Sequence, residues 1–219
     1  MKKLERRTNA MYLEAIQKIY NIVPVLYSGR FKIERKDDSW LGRFLGWWIA
    51  VGSWVATGFK EWNADTRSFV FFNTLYLPNG FFDLEPRRQY GLLLHELSHV
   101  NHRYFDNPDF LFSNTGKEPP TIKGFWFRLG WNIKYVFSPS FRAETEKWGY
   151  LQQIRIAYDY YGYIPSQIKE WFIETFCSGS YAWMMNRKEA ELLFEELERK
   201  VSLEWERDGW STRLFNLNQ

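Results

Sequence analysis

Residues 95 to 99 read His-Glu-Leu-Ser-His. Two imidazoles four positions apart lie one turn apart on the same side of an α-helix, so in a helical segment their nitrogens can converge on a single point. With three histidines in 219 residues, chance would supply about 0.003 copies of the pattern, which makes coincidence a poor account of it. The chain must therefore build a helix here and bring other elements up to it.

The flanking residues agree. A helix is expected to begin near Asp83 or Glu85, with Pro86 in its first turn, where the missing amide costs nothing, and to run to about Tyr104. At 100° per residue, Leu93, Leu97, Val100 and Tyr104 form a core stripe, and His95 and His99 fall on the other side. That spacing suits zinc, which takes imidazole nitrogens at tetrahedral angles. Glu96, rotated 100° from His95, is poorly placed as a further ligand but can reach a water in the open coordination position. It would take the water's proton during attack on a carbonyl carbon and hand it to the leaving amine. His102 shares the histidine face but lies about 10 Å along the axis from His95, too far to share one ion with it, and reads as a rim or supporting residue.

A catalytic zinc site needs a third protein ligand, and no histidine remains outside this helix. The ligand must be a carboxylate or, less suitably, Cys177; Asp106 and Asp159 are carboxylates of the right type. At this point HELSHVNH (95 to 102) and RAETEKWGY (142 to 150) resemble the HExxH zincin metallopeptidases, specifically the gluzincin-like group, in which a glutamate on a later helix completes the site. The resemblance covers about residues 70 to 150. It implies Glu144 as the third ligand, with Glu146 as competitor; the two differ by 200° on a helix, so only one can face the ion. It also implies that the strand at 68 to 77 runs above the metal and pairs with an extended substrate, bringing Asn73 or Thr74 near peptide. The family often has an aspartate four residues after its glutamate, where this chain has Trp148. For an oxyanion donor, Arg142, Tyr150, Tyr104 and Arg103 are residues of suitable type.

A first helix is expected from Thr8 or Asn9 to Tyr20, with Tyr12, Ile16, Ile19 and Val23 as its apolar stripe and Pro24 closing the element. Residues 68 to 77 read as one strand ended by Pro78-Asn79-Gly80, and 105 to 137 as a long loop holding one short element near 125 to 135. Helices follow from Ser138 to about Tyr160, from Ser166 to about Phe176, and from Asn186, where Asn186 and Glu189 make a capping box. The fold class expected is α+β, a small zincin-like domain over residues 1 to 219, mostly helical with a short sheet against the HExxH helix.

Aromatic residues make up 20% of the chain, so large flat rings must build much of the core. A net charge of +3 without runs of like charge argues against a nucleic-acid partner. The single cysteine excludes an intrachain disulfide and fits a cytoplasmic chain, as does the lack of a signal-peptide pattern near the start. Residues 44 to 59 carry no charge, but sixteen residues with three glycines fall short of the roughly 20 that a spanning helix needs; buried strands or a core hairpin are expected there, and a membrane partner is not. The expected activity is zinc-dependent hydrolysis of peptide bonds in a peptide or protein substrate. The alternatives are a zincin-like scaffold without activity and a membrane-associated zinc protease held through residues 44 to 59.

Overall fold

A computed structural model describes residues 8–26, 31–38, 40, 43–44, 47, 69–71, 74–106, 123–177 and 184–208. Within them the chain is mostly helical: α1 (Asn9–Leu26), α2 (Pro86–Phe105), α3 (Phe125–Phe137), α4 (Pro139–Tyr161), α5 (Ser166–Cys177) and α6 (Arg187–Asp208). Strands β1 (Lys32–Arg35), β2 (Phe69–Phe71) and β3 (Thr74–Leu77) form one sheet in the order β1-β3-β2. In it β1 runs parallel and β2 antiparallel to β3.

Local chemistry sets the helix ends. Pro86 and Pro139 occupy first turns, and the Ser138 hydroxyl accepts from the Phe141 amide. Asp106 at φ 58° and Gly162 at φ 76° close α2 and α4 in the left-handed region. Asn186 and Glu189 exchange hydrogen bonds of 3.0 Å in the expected capping box. Among the described residues no helix is long and apolar enough to cross a membrane.

Two apolar clusters hold these elements. The first joins the stripe of α1 with Leu75 and Leu77 of β3 and with Leu93, Leu97 and Val100 of α2. The short sheet thus packs against the histidine-bearing helix, as the sequence suggests. The second joins Tyr150, Leu151 and Ile154 of α4 to α5 and α6. Between the clusters, α2 is buried along both of its sides, because α4 lies against the face that carries His95 and His99. A buried Arg155 on α4 bonds to both oxygens of Glu204 on α6 at 3.0 Å, which ties the second cluster together.

Four expectations change. The one strand expected over 68 to 77 is two, β2 and β3, paired antiparallel with Phe71 opposite Thr74; a continuous β-rich composition reads the same for both. Thr74 consequently sits in the central strand, whose hydrogen-bonding edges are filled by β1 and β2, so its backbone is not free to pair with a peptide; Asn73 lies outside the described residues. The first helix continues through Pro24 to Leu26, with Val23 buried in the first cluster and holding its last turn in place. Of the uncharged tract 44 to 59, only Phe44 and Trp47 are described, and both are exposed rather than buried.

Candidate metal centre

His95 and His99 project from the middle of α2, with their rings edge to face and centroids 4.7 Å apart. The residue that meets them is Glu146, from the second turn of α4. Its Oε2 lies 3.2 Å from His95 Nε2 and its Oε1 lies 3.5 Å from His99 Nε2. All three ligand atoms lie within 4.8 Å of one another, and all three side chains are buried. For metal–ligand distances near 2.1 Å, the edges of a tetrahedron measure about 3.4 Å, close to both separations, each of which runs to a different oxygen of the carboxylate. The donor set of two imidazoles and one carboxylate can hold a metal ion.

Glu144, the carboxylate expected beside the two histidines, does not join the group. Glu144 is exposed and pairs with Lys147 at 3.3 Å on the outer side of α4. Glu146, two residues on, points the opposite way and is buried at 2% exposure. Cys177 and Asp159 are outside the group, and Asp106 faces His102 at 3.8 Å and Lys123 at 4.0 Å.

Gly149 explains how α4 comes so close. A Cβ at this position would stand 2.6 Å from both Cε1 and Nε2 of His95, inside any tolerable contact. The glycine lies three residues after Glu146 on the same side of the helix, so the carboxylate and the bare backbone face α2 together. A glycine inside a helix costs about 1 kcal/mol relative to alanine, a cost offset here by close approach to the imidazole. Gly149→Ala should therefore keep the helix but displace the His95 ring, with at least a tenfold loss of metal affinity. Titration of the variant against a chromogenic chelator checks this, and an affinity equal to the parent's would refute it.

The electrostatics among these side chains are those of a buried ion pair. Burial favours a neutral His99, but the Glu146 charge, a hydrogen bond that the imidazole donates to the same carboxylate and the charge of Glu96 together raise its pKa. Burial also opposes ionisation of Glu146, and the two imidazoles overcome it, holding the carboxyl far below the usual range. A metal cation would replace the imidazole proton as the carboxylate's counter-charge. Glu96 itself is buried beside the histidines at 8% exposure.

Three aromatic contacts orient the group. The Tyr135 hydroxyl, from α3, donates to Glu146 Oε1. Tyr150 lies edge-on to His95 at 4.9 Å, and Trp131 stacks on Tyr135 at 5.3 Å. Among the described residues neither Nδ1 of His95 nor Nδ1 of His99 has a hydrogen-bond partner, so no carboxylate fixes the far side of either ring, in keeping with tryptophan at position 148. His102 sits between Trp131 and Phe141, and burial lowers its pKa. Of the suggested oxyanion donors, Arg142 donates to the Tyr135 carbonyl at 2.9 Å, Tyr150 packs on His95, Tyr104 lies in the first apolar cluster, and Arg103 lies beside the Tyr104 ring.

Sequence reasoning missed Tyr135 and Gly149. Nothing distinguishes Tyr135 among thirteen tyrosines. Gly149 did carry a signal: a glycine inside a helix marks a close approach, and Glu146 stands 60° from it where Glu144 stands 140° away. Comparison with protein-family models, with curated proteins and with solved structures finds no match to this chain.

Proposed function

We propose that the chain is a zinc-dependent hydrolase, and specifically a metallopeptidase of gluzincin type with His95, His99 and Glu146 as ligands. The observation that carries this reading is the buried His-His-Glu group with Glu96 next to it on the same helix. A structural zinc site is normally closed by four protein ligands and has no use for a neighbouring carboxylate, whereas three ligands and an adjacent base are the requirements of a hydrolytic site.

Zinc held by these side chains would leave one position for water and lower that water's pKa towards neutrality. Glu96 accepts the proton as the water oxygen bonds to the substrate carbonyl carbon, and it delivers that proton to the departing nitrogen as the carbon–nitrogen bond breaks. Tyr135 holds the Glu146 carboxylate in place from the α3 side, and Gly149 lets α4 present that carboxylate to both histidines.

The burial of Glu96 and both histidines supports a second reading, a zincin-like scaffold whose metal does not meet substrate. One experiment separates the two. The purified, zinc-loaded chain should cleave an unfolded protein such as reduced casein, lose this activity with a zinc chelator, and regain it when zinc is restored. A fully zinc-loaded chain that cleaves nothing favours the scaffold.

A further inference from the structure

On α3 the usual arrangement of a surface helix is inverted. Its inward side carries Trp131, Arg128 and Tyr135, which reach α2 and α4. Directly opposite Trp131, within 60° of that direction, stand Phe125, Trp126, Leu129, Ile133 and Phe137. All five are exposed, Trp126 and Phe137 at 79% each. Outward faces of surface helices are ordinarily polar, and a continuous apolar stripe of this size marks an interaction surface.

Charge identifies the partner. Residues 119 to 143 contain Lys123, Arg128, Lys134 and Arg142 and not one acidic residue. Lys134 is exposed 60° beyond Phe137, with its ammonium 5.9 Å from the Phe141 ring, and Lys123, which precedes the helix, is half-buried with its ammonium 4.0 Å from the Asp106 carboxylate. Exposed Trp and Phe on one face, flanked by lysine, is the pattern of a helix that lies in the boundary of an anionic lipid bilayer: the rings enter the headgroup region and the lysines meet lipid phosphates and carboxylates. We propose that α3 docks the protein on an anionic membrane surface. Its 13 residues extend about 20 Å, too short to cross a hydrocarbon core of about 30 Å, so the helix lies along the surface. This segment is separate from the uncharged tract 44 to 59, and docking through it departs from the sequence expectation of no membrane partner. Because Tyr135 on the inward side touches Glu146, docking would hold the metal group about one helix diameter, roughly 10 Å, from the headgroups, next to substrates that are themselves at the membrane.

The test is co-sedimentation of the full chain with vesicles of phosphatidylcholine, with and without phosphatidylserine. It reads binding rather than hydrolysis, so its outcome is independent of the peptidase reading. The chain should sediment with the phosphatidylserine vesicles and much less with the neutral ones, and added salt should weaken binding. Trp126→Ser/Phe137→Ser, at exposed positions the fold does not use, should lower partitioning at least tenfold. Lys123→Glu/Lys134→Glu should lower it by about fivefold or more per site. Equal binding to both vesicle types, or binding unchanged in the aromatic variant, overturns the proposal. So does a chain that ignores vesicles but forms a dimer in sedimentation equilibrium that the aromatic variant dissolves, because the stripe is then covered by a second copy.

Discussion

Glu146→Gln is expected to lower zinc affinity by about 100-fold or more, while Glu144→Gln leaves it within a factor of two. Glutamine keeps the volume of the buried side chain, so loss of metal can be read as loss of a ligand rather than as collapse of a cavity. The contrast follows from geometry: the Glu146 oxygens lie 3.2 and 3.5 Å from the two imidazoles, and Glu144 spends its charge on Lys147 at the surface. An exposed pair of that kind contributes little to stability, so its removal should also leave the melting temperature nearly unchanged. Competition with a chelator of known affinity measures both variants. A larger loss in the Glu144 variant would mean that α4 is rotated relative to α2 by nearly half a turn.

Glu96→Gln should keep zinc at the parent level and reduce hydrolysis by about 10²- to 10⁴-fold, the usual contribution of a positioned general base. The amide retains shape and hydrogen bonding but cannot take the water's proton. Metal analysis and the casein assay on the same preparation decide the matter, because a variant that lost zinc as well would indicate a ligand role for Glu96. Activity equal to the parent's would remove Glu96 from the mechanism and, with it, the main support for the peptidase reading. Together the two substitutions separate binding from chemistry.

Much of the local structure was legible in advance because it rests on short-range rules. Pro86, the Leu93-Leu97-Val100-Tyr104 stripe, Ser138 and the Asn186/Glu189 box each act within one or two turns, and the helices lie where these residues put them. The division of 68 to 77 into two antiparallel strands was hidden because β-rich composition is the same in both. Burial of the histidine face was hidden for a different reason: α2 is covered on both sides, so its second buried face carries His95, Glu96 and His99 rather than aliphatic residues, and periodicity marks only the aliphatic one.

The sequence alone determined a helix that bears two imidazoles and a carboxylate, and limited the third ligand to a few side chains, because helix geometry is local and a three-histidine chain has few alternatives. Choosing Glu146 over Glu144 took the tertiary structure. That choice depends on how α4 is rotated against α2, which is set by contacts from Gly149 to His95 and from Tyr135 to Glu146 between residues distant in the chain. The same holds for α3, which reads from sequence only as a short element in a long loop. Only packing shows that Trp131 and Tyr135 turn inward and leave Trp126 and Phe137 facing out, because an amphipathic pattern specifies two faces of a helix but not what each one meets.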